Sequence, residues 1–375
     1  MGRAGENTPD EGETKLSKSS TNPSDRIEAV SHFVHRHFIW LLIGSLVVAA
    51  VLPSLGLSIR KVSFGKITVF QESTEISMPM LMLAFLLLNA GLGIKTSEMR
   101  NLLKTPRIVS VGLAANVVIP ITFIFVVAQL LLRFYHDPDE PDEVQHVLVG
   151  LALIAAMPIA GSSTAWSQNA NGDIALSLAL VLFSTFLSPL TTPLVFDAVE
   201  KMATGEYAEA LDRLEFQSTG FLLIACVILP SLLGIGIHWL LGAERIGRAM
   251  TLLKLVNSFN LLLLNYSNAA VSLPQLVRDP DWDYVAVTLA VALLLCVVAF
   301  AGGWLVARLL KADRPQQISL MFGLGMNNNG TGLVLASMAL AQYPSVMLPV
   351  IFYNLLQHLV AGVVDAVWCR PANTV

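Results

Sequence analysis

Charge is scarce in this chain of 375 residues. Only 13% are Asp, Glu, Lys or Arg, and the 27 acidic and 23 basic side chains nearly cancel. An ordinary soluble domain carries about twice that share, so a water-facing surface on every side is excluded. The three cysteines, Cys226, Cys296 and Cys369, have no paired spacing, which excludes a disulfide framework and a thiolate zinc centre. Neither Gly-x-Ser-x-Gly nor His-Glu-x-x-His occurs. A site built on Ser163, His358 and Asp365 has nothing to set a nucleophile against its base, so no enzymatic activity is expected, nor any organic cofactor or nucleic-acid partner. Residues 1–30 mix Glu and Asp with Lys and Arg and match neither a secretory signal nor a transit peptide. They read as a disordered cytoplasmic tail.

What the chain has instead is hydrocarbon: 54% hydrophobic residues and a mean hydropathy of +0.65. Ten stretches are long enough to cross a bilayer core, which needs roughly 20 apolar residues: 38–59, 75–94, 108–133, 146–170, 173–197, 218–242, 250–272, 284–310, 316–341 and 345–369. The reading is an all-α polytopic membrane protein. Cytoplasmic loops keep an excess of Lys and Arg. Lys95, Arg100, Lys104 and Arg107 follow span two, and Arg308, Lys311 and Arg314 follow span eight. Both termini are therefore expected in the cytoplasm, with the acidic loop from Asp137 to Glu143 outside.

Two spans carry the same short polar break, Met157-Pro-Ile-Ala-Gly-Ser162 and Met326-Asn-Asn-Asn-Gly-Thr331. A break strands backbone amides and carbonyls at bilayer depth, which is tolerable only beside a protected, partly wet cavity. Paired interruptions in two halves of a chain point to the binding site of a secondary transporter. A second echo, Leu-Leu-Leu-Asn89 in span two and Leu-Leu-Leu-Asn265 in span seven, has nearly the same separation as the two Met residues. The division is then a first five-helix repeat over 31–200 and a second over 201–375, inverted because five is odd. Broken helices present free amides to an anion and free carbonyls to a small cation. Around the breaks stand Ser162, Ser163, Thr164, Asn327, Asn328, Asn329 and Thr331, all hard oxygen donors. Asn257, Asn260, Asn265 and Asn268 share one sector of span seven and are expected to line a cleft.

Met157-Pro158, Gly161-Ser-Ser-Thr164, Gly172-Asp-Ile-Ala-Leu-Ser177 and Ser184-Thr-Phe-Leu-Ser-Pro189-Leu-Thr-Thr-Pro193 resemble spans four and five of the bile acid:sodium symporter family. Gly325-Met-Asn-Asn-Asn-Gly330 resembles its Gly-Met-Gln-Asn-Ser-Gly in span nine. The resemblance implies a core unit of spans three to five and eight to ten, with helices four and nine crossing, and a panel unit of spans one, two, six and seven. Substrate would lie between the units. It further implies a first sodium site on Ser163, Thr164 and Ser177, and a second on Leu324, Met326 and Asn327 with Asn116 of span three. Ser162, Asn328, Asn329, Thr331, Asn265, Asn268, Gln357 and His358 are expected to touch substrate.

Two departures stand out. The Thr that completes the family's first sodium site is Val181, and the Glu that serves both sites is Gly323. Expected, then, is a Na⁺-coupled symporter of a small organic anion, acting as a monomer in a bacterial inner membrane. The alternative is a Na⁺-independent carrier, proton-coupled or uniport. The family's more distant relatives, the arsenite exporters, share Trp166-Ser167 and Gly172-Asp173 but carry a thiol that is missing here.

Overall fold

The computed structural model describes residues 23–69, 72–94, 105–135, 142–214, 223–340 and 342–369. Residues 1–22, the basic cluster Lys95, Arg100 and Lys104, and the acidic loop between Asp137 and Pro141 lie outside the described residues.

A chain this apolar has little water to satisfy its backbone, so each segment must bond its own amides to its own carbonyls, and helix is the result. In chain order the helices are α1 (Pro23–Arg36), α2 (Phe38–Val51), α3 (Ser54–Lys61), α4 (Met78–Leu92), α5 (Pro106–Phe134), α6 (Asp142–Ala155), α7 (Ser162–Asn169) and α8 (Ile174–Glu200). There follow α9 (Gly205–Arg213), α10 (Leu229–Leu241, continuing a π-turn over Ile224–Ile228), α11 (Ala243–Arg278), α12 (Trp282–Leu309), α13 (Arg314–Gly325), α14 (Asn329–Ala339) and α15 (Met347–Val364). Within the described residues, each of the ten expected stretches overlaps a helix or a helix pair. Among the described residues, five are long and apolar enough to span a bilayer unaided: α5, α8, Ile224–Leu241, α12 and Pro344–Trp368. The other five stretches fall short for local reasons. Pro53 divides α2 from α3, the two polar breaks divide α6 from α7 and α13 from α14, and α4 has 15 residues, about 22 Å of helix. The last, α11, carries Asn257, Asn260, Asn265 and Asn268 through its apolar stretch, besides Arg and Lys in its first turns.

The fold class is all-α, as expected, with one small addition: Ser63–Val69 (β1) and Glu72–Ser77 (β2) form an antiparallel hairpin, Thr68 opposite Ser73. Its run Ile67-Thr-Val69 is β-branched, which suits a pleated strand, but it is too short to stand out from a loop in sequence. One expectation needs correction, since the tail is not disordered through residue 30. Helix α1 begins at Pro23, a favoured first helical residue, and packs on α11.

The helices sort into two packing groups. In one, α2 and α3 lie on α11, while α4 lies on α10 and α11. In the other, α5 packs on α6, α8 and α12, and α12 packs on α13 and α15. Contact between the groups runs chiefly through α14 and α15 against α11, with α4 and α2 alongside. Helix α6 lies deepest, with Leu148, Leu151, Leu153 and Ile154 fully buried. Outside, Phe125, Leu190, Leu233 and Leu294 are exposed, with Trp40, Trp239 and Trp282 near helix ends. Apolar flanks edged by tryptophan suit lipid and its interface, and the molecule is an integral membrane protein.

Candidate functional site

The first break has an identifiable cause. Pro158 has no N–H, so the carbonyl of Ile154 loses its usual helical donor. The Asn327 side chain supplies one instead, Nδ2 donating to that carbonyl at 2.9 Å. At the second break the run Asn327–Asn329 offers the backbone side-chain partners that compete with helix. Asn328 caps α14, its Oδ1 accepting from the Thr331 amide at 3.4 Å. The unwound segments then pair with each other. Ile159 and Asn327 form an antiparallel bridge. The Ala160 amide donates to the Met326 carbonyl and the Asn328 amide to the Pro158 carbonyl, both at 2.8 Å. Ser184 of α8 supports the crossing from outside, its Oγ accepting from the Ile159 amide at 3.0 Å.

A chain of side-chain amides leads away from this crossing. Gln357 Oε1 accepts from the Asn327 amide at 3.0 Å and from Asn329 Nδ2 at 3.1 Å. Gln357 Nε2 donates to Asn354 Oδ1 at 3.3 Å, and Asn354 Nδ2 to Asn265 Oδ1 of α11 at 2.8 Å. Residues expected on cation (Asn327) and on substrate (Asn329, Gln357, Asn265) thus belong to one network, which bridges the two packing groups. Its acceptors are not all used. Asn327 Oδ1, Asn329 Oδ1 and Thr331 Oγ1 are buried with no hydrogen-bond partner. A buried polar atom left so costs about 1–3 kcal/mol, and a cluster of acceptors is chemically suited to a small hard cation.

On the other side of the crossing, Ser177 Oγ donates to Thr164 Oγ1 at 3.2 Å, which brings together two of the expected cation ligands. Ser163 is fully buried and its hydroxyl has no partner. Beside them the family's Glu position is filled by hydrocarbon. A Cβ on Gly323 would stand 3.1 Å from Cδ1 of Leu180, itself fully buried, so the space left by the missing carboxylate belongs to Leu180. Val181 contributes only its carbonyl, which accepts from both Ser184 and Thr185.

Asn116 is elsewhere. With Met157, Pro158, Ser184 and Thr191 it lines a cavity of about 20 Å³, room for roughly one water-sized group. Leu324, Met326 and Asn327 do not line that cavity. The Met326 carbonyl is engaged by Ala160. His358 stands apart from the amide network, its ring edge-on to Phe38 of α2 with centroids 6.2 Å apart. Ser162 and Asn328 are half-buried at the first turns of α7 and α14. Of the span-seven asparagines, Asn260 is structural, donating to the Met82 carbonyl of α4 at 2.7 Å. His238, expected at the membrane edge, is buried, its ring nitrogen 2.7 Å from the Leu92 carbonyl.

Asn268 leads to a residue that the sequence marks only by its charge. Its Oδ1 accepts from Arg60 Nη1 at 2.9 Å, and Arg60 Nη2 donates to the Ser337 carbonyl at 3.0 Å. The one signal in the sequence is an Arg closing an apolar span.

The profile of the SBF-like CPA transporter family matches residues 36–370. Over 350 residues, 93% of this chain and 96% of the relative, the chain is 24% identical to a Bacillus subtilis (strain 168) protein named uncharacterized sodium-dependent transporter YocS. Over 216 residues it is 26% identical to uncharacterized protein YbaS of the same organism, a match spanning 57% of this chain and 66% of YbaS.

Proposed function

The chain belongs to the SBF-like CPA transporter family, and on that premise we propose that it couples Na⁺ to the movement of a small organic anion by alternating access. It is a transporter, not an enzyme. The observation that carries the reading is the pair of broken helices joined at Ile159 and Asn327, with unpartnered oxygens of Asn327, Asn329 and Thr331 gathered around the junction. The amide ends of α7 and α14 favour an anion, and the carbonyl ends of α6 and α13 favour a cation.

In this reading Ser163, Thr164 and Ser177 form one cation site. Asn327, with the carbonyls of Leu324 and Met326, contributes to another, and Asn116 lines the separate small cavity beside Met157 and Pro158. Ser162, Asn328, Asn329, Thr331, Asn265, Asn268, Gln357 and His358 face the anion. The two packing groups are the panel and the core, and their relative rocking exposes the seam between them to either side. An inverted ten-span repeat is supported by the packing: α5 lies on α8 as α12 lies on α15, and α4 on α10 as α11 on α2. We assign both termini to the cytoplasm, the protein to a bacterial inner membrane, and the functional unit to the monomer. The name of YocS carries sodium dependence for that relative.

In proteoliposomes, an inward Na⁺ gradient should drive concentrative uptake of a carboxylate first identified by thermal shift. Replacing Na⁺ with choline should abolish it. Uptake indifferent to choline selects the second reading, a Na⁺-independent carrier, which Gly323 and Leu180 favour. Those two residues also give a sharper test. Gly323→Glu alone should lower stability and uptake, since the new side chain meets Leu180 and buries its charge against hydrocarbon. Gly323→Glu with Leu180→Ala supplies both the carboxylate and its space. The Na⁺ concentration for half-maximal uptake should then fall about tenfold or more, the scale of one charge-assisted contact.

A further inference from the structure

Arg60 is a half-buried cation whose partners are both uncharged. Among the described residues it meets no carboxylate; its bonds go to Asn268 Oδ1 and to the Ser337 carbonyl. One bland account is helix capping, because Ser337 lies in the last turn of α14, where carbonyls lack intrahelical donors and cations are favoured. Capping leaves the donors unexplained. A guanidinium has five N–H groups and two are used. Asn268 is fully buried, its Oδ1 accepts from Arg60, and its Nδ2 has no partner. The place holds a surplus of donors and a deficit of acceptors, which is the signature of an anion site.

It is also a built place. The corner between α2 and α3 is pinned to α11 by Tyr266, whose hydroxyl donates to the Leu52 carbonyl at 2.6 Å and accepts from the Gly56 amide at 3.2 Å. Gly56 itself sits against Ala270 and Ser267, so α3 and the root of Arg60 are fixed. Asn268 is three residues from Asn265 on α11, hence on the same face. Arg60 therefore lies on the side of α11 that carries the end of the amide chain, and its partner Ser337 is about 12 Å along α14 from Asn329. Through Ser337 it ties α3 of the panel to α14 of the core.

We infer that Arg60 receives the carboxylate of the transported anion, giving up the Ser337 carbonyl to do so. The exchange replaces a neutral acceptor with a charged, planar one that fits the guanidinium fork in two places. It also removes a panel-to-core hydrogen bond as the anion arrives, which links substrate binding to opening of the seam. This inference rests on the organic-anion reading above.

The test uses the full-length purified protein and a panel of monocarboxylates (pyruvate, benzoate, 2-hydroxyisovalerate, cholate), each paired with its neutral primary amide, with and without Na⁺. A ligand that binds only the folded state raises its melting temperature. For any acid that stabilises the wild type, Arg60→Gln should weaken binding by about 10- to 100-fold and leave binding of the amide unchanged. Arg60→Lys, which keeps a cation on Ser337 but lacks the fork, should fall between. Arg248→Gln, at an exposed pair with Glu244, should match the wild type. A purely capping role would lower the melting temperature of Arg60→Gln without altering the acid-to-amide ratio, and that outcome overturns the assignment. So does wild-type affinity for the acid in Arg60→Gln. Should no acid stabilise even the wild type, the organic-anion reading falls, and this inference with it. If Arg60→Gln does not fold, the acid-to-amide ratio of Arg60→Lys decides alone.

Discussion

Gln357→Leu should abolish uptake and lower stability by about 2–6 kcal/mol. Gln357 Oε1 accepts from the Asn327 amide and from Asn329 Nδ2, in a place where all three residues are buried. Leucine has similar bulk and no acceptor, so the Asn327 amide is left unpaired and Asn329 Nδ2 keeps only the Asn327 carbonyl, at about 1–3 kcal/mol for each lost bond. The loss also removes the tie of α15 to the second break, so transport should fail at temperatures where the fold survives. Gln357→Glu separates the two roles. It keeps an oxygen facing both donors while removing the weaker donation to Asn354. It should retain most of the stability, with altered uptake. Thermal unfolding of the purified variants, paired with proteoliposome uptake, checks both. A Gln357→Leu protein that melts with the wild type and still transports would show that the amide network is decoration.

The second large effect belongs to the packing of α4 on α10. Gly91 of α4 and Gly234 of α10 face each other so closely that a Cβ on Gly234 would stand 2.2 Å from the Leu88 carbonyl, and one on Gly91 would stand 2.2 Å from that of Ser231. The obstacle is backbone on both sides, so no rotamer can relieve it and the helices must separate. Gly234→Ala should cost about 3 kcal/mol, the upper end for overpacking, and reduce uptake by loosening the wall of the cleft. A Cβ on Gly236, two residues on, would meet nothing within 4 Å. There alanine should be neutral or stabilise by up to about 1 kcal/mol through helix propensity. Melting temperatures of the two variants, measured side by side, distinguish close approach from a general intolerance of change in α10. Equal values would refute it.

Local chemistry explains which features were readable from sequence. Pro158 and the run Asn327–Asn329 disrupt helix wherever they are placed, so both breaks appear in the sequence as they appear in the fold. The long apolar runs of α5, α8 and α12 likewise leave only one structure open to them. What escaped depends on which helix arrives as neighbour. Asn260 reads as cleft lining until α4 brings the Met82 carbonyl to it, and His238 as interfacial until the Leu92 carbonyl does the same. Gly323 reads as a missing charge, whereas in the fold it is the room that Leu180 fills. Arg60 looks like one more loop cation because its partners lie 208 and 277 positions away. The hairpin after α3 is too brief for its alternation to be distinguished from irregular chain.

The two main-chain bonds at the junction, Ala160 to Met326 and Asn328 to Pro158, are sewn without side chains, and the Asn327 side chain on the Ile154 carbonyl stays them from beside. Such a stitch is blind to the side chains at either end: substitution at 159 or 160 alters what the thread passes through without cutting it. Only the loss of an amide hydrogen, as proline brings, unpicks the seam. The two unwound segments consequently hold together as one piece, and in the proposed mechanism the freedom a carrier needs comes from the amide-lined face between the packing groups, where the ties among the described residues are donated by side chains that a solute can replace.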